Sequence, residues 1–183
     1  MVDALDARGL DGAAVLEVGV GSATALATML ERGAASGVGY DLSPGYEPTA
    51  TGLLESKGLS DRADLRYRDF VADADAAGSV DVVFLNKVVC CYPDRPRLVD
   101  AASGATTRLL AMSFPRRRWL TRVSLAVINL FFRIRGTSFR VHLHDPKAIA
   151  AQVASRGLVR IASGTTPIWE WHVWERGVAG RPQ

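Results

Sequence analysis

Cysteine is scarce in this chain. Of 183 residues only Cys90 and Cys91 are cysteines, and they are neighbours. A disulfide between adjacent residues is strained, so the pair points to a reducing compartment and not to a stapled fold. Lysine is nearly as rare: Lys57, Lys87 and Lys147 stand against a background of arginine. The surplus of base is only +3, with a pI near 9.1, too weak by itself to imply a nucleic-acid partner. No apolar run reaches the roughly 18–20 residues that a bilayer span needs. The opening MVDALDARGLDGA lacks the basic start and continuous apolar core of a signal peptide. A cytoplasmic location is the expectation. Histidine occurs three times, at 142, 144 and 172, and the two adjacent thiols lack the spaced partners of a tetrahedral site, so no metal is expected.

What is present is an apolar fraction of 48%, which suits one globular domain. That domain is expected over residues 1–176, with a loose tail at 177–183. Ala14–Val18, apart from Glu17, reads as a strand apolar on both faces, typical of a sheet covered by helices on both sides, and Val80–Leu85 as the next strongest strand. Further strands are expected at Gly37–Tyr40, Asp64–Arg68, Arg108–Ser113, Leu158–Ser163 and Ile168–Glu175. Between them lie a helix capped by Ser22, an irregular helix from Ser43-Pro44 to about Lys57, and helices over Asp94–Ser103 and from Asp145-Pro146 to Ser155. Alternating strands and helices predict an α/β, Rossmann-like three-layer sandwich on a mostly parallel sheet, with an antiparallel edge.

The stretch Val15–Leu30, VLEVGVGSATALATML, organises the rest. It reads as a strand, a glycine turn and the start of a helix, which makes a ligand crevice at the strand's C-terminal end. Gly19 and Gly21 let the backbone turn and let a ligand approach without a Cβ in the way. A dinucleotide fingerprint would put a third glycine near position 24, where Thr24 stands. Glu17 would repel a pyrophosphate and attract a cationic amine. Asp41, at the end of the second strand, can accept both hydroxyls of a ribose. Asp69 can accept from an adenine amine, with Phe70 against the ring.

With these residues in place, the sequence resembles the class I S-adenosylmethionine-dependent methyltransferases over roughly residues 3–175. The resemblance implies a seven-stranded sheet of order 3-2-1-4-5-7-6 with S-adenosyl-L-methionine as cofactor. It implies cofactor contacts from Glu17, Gly19, Val20, Gly21, Asp41, Leu42, Asp69, Phe70 and Asn86. VVCCYPD at 88–94 and MSFP at 112–115 look loosely like the magnesium-protoporphyrin O-methyltransferase branch. Related enzymes carry further N-terminal helices over the cofactor, so a chain starting about a dozen residues before its first strand implies a more open site or a longer parent.

The acceptor side is less explicit. His144, His142 and Tyr92 are the candidate catalytic residues, the histidines as general bases near neutral pH. His144 can equally serve the helix start, and Tyr92 can cap its turn. Residues 117–137 are expected as an inserted lid or cap helix. Leu120, Val123, Val127, Leu130 and Ile134 form one apolar stripe, Leu125, Ile128 and Phe132 another. Arg122, Asn129 and Arg133 form a narrow polar line. Such a helix is a cap over the sheet, a lid over the acceptor, or a contact with lipid or an apolar ligand. The expected reaction is methylation, at oxygen or carbon, of a small apolar or aromatic acceptor. Rival readings are a nucleotide-dependent oxidoreductase and a catalytically silent cofactor-binding domain. A base methyltransferase is disfavoured because Lys87-Val88-Val89 follows Asn86 where a flipped base would need an aromatic grip.

Overall fold

The computed structural model describes residues 1–137 and 139–177, with the backbone alone at Leu120. Ser138 and the tail at 178–183 therefore lie outside the described residues. Seven strands form one sheet in the order β3-β2-β1-β4-β5-β7-β6. They are β1 (Ala14–Val18), β2 (Ser36–Tyr40), β3 (Ala63–Arg66), β4 (Val80–Leu85), β5 (Thr106–Pro115), β6 (Leu158–Thr165) and β7 (Trp169–Arg176). The first five are parallel, and β7 runs antiparallel between β5 and β6.

Successive side chains of a strand point to opposite faces, so a strand covered on both sides must be apolar throughout. In β4, Val82 and Phe84 enter one core with Leu5, Leu26, Met29 and Leu54, while Val83 and Leu85 enter the other with Leu98, Ile149 and Val153. The first core is roofed by α1 (Val2–Asp6), α2 (Thr24–Glu31) and α3 (Glu47–Ser56), the second by α5 (Arg95–Ala105) and α7 (Pro146–Ser155). A single turn, α4 (Ala74–Ala77), precedes β4. Bare positions in β2 let the first roof lie close. A Cβ on Gly37 would meet Leu26 at 2.6 Å, and one on Gly39 would meet Val20 at 2.7 Å.

Local chemistry explains the helix starts. The Asp94 and Asp145 side chains accept from the backbone N–H groups of Arg97 and Lys147, each with a proline in the first turn. The start of α2 differs from expectation. Ser22 does not cap it; its Oγ lies 3.0 Å from Thr24 Oγ1. The cap position is Ala23, left-handed at φ 58°, because the glycine turn delivers the chain to the helix one residue later. The helix after the 3₁₀ turn Pro44–Tyr46 is regular through Gly52, since Pro48 falls in its first turn. Strand β5 continues to Pro115 because its partner continues to Trp169.

The helix α6 (Trp119–Ile134) does not cap the sheet. Of its described side chains only Thr121 is buried, and Leu125, Asn129 and Phe132 are half-buried on the same side. Asn129 decides this orientation. Its Nδ2 donates to the Val141 carbonyl and its Oδ1 accepts from the Val141 amide, both at 2.8 Å. The polar residue thus faces the returning chain, and the apolar stripe faces out. Among the described residues no helix is long and apolar enough to cross a membrane.

Candidate active site

The chain turns sharply where β1 ends, and the turn is tied to the end of β2. The Gly19 and Val20 amides both donate to the Tyr40 carbonyl, at 2.7 and 2.9 Å. Gly19 has φ 74°, and a Cβ there would lie 2.1 Å from Val88 Cγ2. Gly21 has φ 48° and open space where its Cβ would stand. Its amide donates to Asp41 Oδ2, while the Ser43 amide donates to Oδ1, both at 2.8 Å. The carboxylate is thus fixed at the strand end with further lone pairs available. Beside it opens a cavity of about 590 Å³, walled in part by Gly19, Gly21, Asp41, Leu42, Phe70 and Asn86. This lies within the usual size of small-ligand sites.

Asp69 stands on the same wall. Its Oδ1 accepts from the Val71 amide at 2.9 Å, and its Oδ2 accepts from the Tyr92 hydroxyl at 2.9 Å. Burial, and then the bond to Asp69, push the Tyr92 phenol up to about 12. Tyr92 is therefore a proton donor to the acid expected to hold adenine, and at neutral pH it cannot act as a base. Phe70 is buried and meets Tyr40 edge-on at 5.4 Å. The Tyr40 hydroxyl donates to Asp73 at 2.6 Å and accepts from Arg66 at 2.7 Å, which fixes the ring at the cavity wall. Sequence reasoning missed Tyr40, although its place directly before Asp41 was the available signal.

Two of the residues expected at the cofactor do not line the cavity. Val20 is buried under β2 and does not line the cavity. Glu17 is buried too and lies outside the cavity wall, with Oε2 lacking a partner in the protein. Burial pushes its carboxyl up to about 8, while the Leu26 amide works in the opposite direction. Burial thus opposes ionisation of Glu17, which weakens the expected repulsion of a pyrophosphate.

At the end of β4, the Ser113 hydroxyl donates to Asn86 Oδ1 and accepts from the Lys87 amide, both at 2.8 Å. Lys87 is left-handed at φ 62°, an uncommon state for a residue with a side chain. Its ammonium lies 5.4 Å from the centre of the Trp169 ring. Lys87 and Cys91 line the cavity together with Val88, Leu98 and Phe139. The two thiols lie 3.4 Å apart. The bond between them lowers the Cys91 thiol and raises that of Cys90, which burial raises further.

The histidines fall elsewhere. His142 and His144 do not line the cavity. The His142 amide donates to the Cys90 carbonyl at 2.6 Å, and the two rings stack at 5.9 Å. Burial, then Arg95 and His142, lower the His144 imidazole. The segment is irregular and lies against the 88–92 turn, so this turn separates the expected bases from the crevice. Among the described residues no cluster of three or more His, Cys, Asp or Glu could hold a metal ion.

Residues 16–108, just over half of the chain, match the model of a methyltransferase domain. The chain belongs to that family of S-adenosylmethionine-dependent enzymes. No curated protein matches it. Among solved structures, an O-methyltransferase family protein from Burkholderia thailandensis is 23% identical with a TM-score of 0.77, covering 98% of this chain and 56% of its own. The magnesium protoporphyrin IX methyltransferase of Synechocystis PCC 6803, with bound S-adenosylhomocysteine, is 20% identical at 0.76, covering 96% and 82%. A [4+2]-cyclase is 11% identical at 0.71, covering 97% and 80%. These likenesses show the fold; the methyltransferase domain here spans little over half of the Burkholderia chain.

Proposed function

We propose that the chain transfers a methyl group from S-adenosylmethionine to a small apolar or aromatic acceptor, at oxygen or carbon. The carrying observation is the Asp41 carboxylate, held by the Gly21 and Ser43 amides beside an open cavity. In this reading Asp41 and Leu42 take the ribose, Asp69 and Phe70 the adenine, and the Gly19–Gly21 turn the methionine portion, with Asn86 at the junction. The residues fit such a group, since Gly21 leaves open space above the turn and Asp41 arrives already oriented. When bound, the cofactor supplies a sulfonium methyl open to in-line displacement.

The protein's own part is alignment and exclusion of water. Val88, Leu98 and Phe139 give the acceptor side an apolar wall, which favours a phenol, isoprenoid or tetrapyrrole-like molecule. In this reading the acceptor's proton passes to water. A second reading is a binding domain without methyl transfer, and the cyclase neighbour shows that this fold hosts other chemistry.

Calorimetry with S-adenosylmethionine, S-adenosylhomocysteine and NAD tests the cofactor half. Tight binding of both sulfur ligands, lost in Asp41→Ala, supports the proposal, and binding of NAD alone overturns it. Transfer of a labelled methyl to a panel of phenolic and tetrapyrrole acceptors separates enzyme from silent domain.

A further inference from the structure

The outer surface of α6 is not used by the crevice and is covered by nothing in the described chain. Trp119, Val123, Val127, Leu130, Phe131 and Ile134 are between 51% and 77% exposed. At 3.6 residues per turn these six side chains fall within one arc of roughly 120°. Arg122 and Arg133 flank one side of that arc, and Arg118 precedes the helix. Between Pro115 and His144 the sequence has seven arginines and no acidic residue. Among the described residues no carboxylate pairs with Arg118, Arg122 or Arg133.

We propose that α6 is a membrane-surface helix that seats its apolar arc in the headgroup region of an anionic lipid bilayer. Charge complementarity selects this occupant. A face of Trp, Phe, Leu, Val and Ile on a helix whose charged residues are all arginines matches an apolar layer beneath negative headgroups, the arrangement of interfacial helices. Each arginine near such a surface adds to the attraction, and salt weakens it. With 16 residues α6 is too short to span the hydrocarbon core, so it lies in the interface plane. The two Asn129–Val141 bonds hold the polar side inward and the apolar arc outward. The surface also leads to the crevice: Phe131 meets Phe132 at 6.0 Å, and Phe132 meets Phe139, a cavity-wall residue, at 5.1 Å. Docking goes beyond the methyl-transfer reading and does not depend on it.

The test is flotation of the full chain with vesicles of phosphatidylcholine alone or mixed with phosphatidylglycerol. The expected result is binding to the mixed vesicles, weakened by salt, and quenching of tryptophan emission by brominated lipid that disappears in Trp119→Phe. Val127→Glu combined with Leu130→Glu should weaken binding about tenfold or more, with circular dichroism and S-adenosylhomocysteine binding unchanged. Should that pair fail to fold, the wild-type salt dependence and the Trp119→Phe difference still decide. Folded wild-type protein that ignores mixed vesicles overturns the proposal. So does a concentration-dependent dimer, abolished by Val127→Glu, in a protein that binds no lipid.

Discussion

Tyr92 donates its hydroxyl to Asp69 at 2.9 Å, linking the turn after β4 to the end of β3 across the cofactor crevice. A phenol with a pKa near 12 stays protonated throughout the working range of an enzyme. Tyr92→Phe should therefore leave the shape of the pH–rate profile unchanged. Losing the bond should cost about 1 kcal/mol of stability, measurable by urea unfolding. A profile that loses a limb in the variant would show instead that Tyr92 takes part in proton transfer.

Asp41 organises two backbone amides as well as its own carboxylate. Asp41→Ala frees the Gly21 and Ser43 N–H groups and removes the acceptor for ribose. The expected loss is roughly 2–4 kcal/mol in S-adenosylhomocysteine affinity, on the order of a hundredfold. Calorimetry reads it directly. Asp41→Asn should recover part of the loss, because one oxygen remains to accept.

Glu17 makes stability fall as pH rises. Its carboxyl keeps its proton in the folded chain up to about pH 8, whereas in the unfolded chain it ionises near the ordinary glutamate value of 4.5. Between the ordinary and the raised value unfolding releases a proton, so alkali favours the unfolded chain, and the loss is complete above about pH 8. Glu17→Gln cannot ionise. It should raise stability by roughly 2–4 kcal/mol at pH 7 and flatten the dependence of Tm on pH between 5 and 8, about the window of the shift. An unchanged slope would mean that the carboxyl is ionised in place.

Cys91 should be the more reactive thiol, because the Cys90 sulfur beside it favours its thiolate. Iodoacetamide labelling followed by peptide mass spectrometry should modify Cys91 first. Cys90→Ala should shift the labelling profile to higher pH. S-adenosylhomocysteine should slow the reaction, since Cys91 lines the cavity.

The sheet was legible in the sequence because β1 and β4, Glu17 and Asp81 apart, are apolar on both faces, a pattern that few other arrangements produce. Asp94 and Asp145-Pro146 announced their helices because capping is a local interaction between residues two or three apart. Asp41 and Asp69 were legible because strand ends fix where such acids can stand. The burial of Glu17 was not legible, since strand alternation does not reveal which face the glycine turn leaves open. The orientation of α6 was hidden as well. Two apolar stripes compete in its sequence, and the choice falls to Asn129, whose partner Val141 lies on a returning segment without a pattern of its own. The histidines at 142 and 144 gave no sign of their distance from the crevice, because the irregular segment that carries them and the 88–92 turn beside it have no periodic pattern to read.

The placement of β7 has a consequence for assembly of the fold. Among the described strands it comes last in sequence, yet it lies between β5 and β6 and pairs with both. Until residues 169–176 arrive, each of those strands exposes a row of unpaired amides and carbonyls, and the β5 side belongs to the heart of the sheet. During synthesis two open edges stand side by side until β7 emerges, with completion of the sheet waiting on the β6–β7 hairpin. Truncation before Trp169 should therefore yield a sticky intermediate and not a smaller working domain.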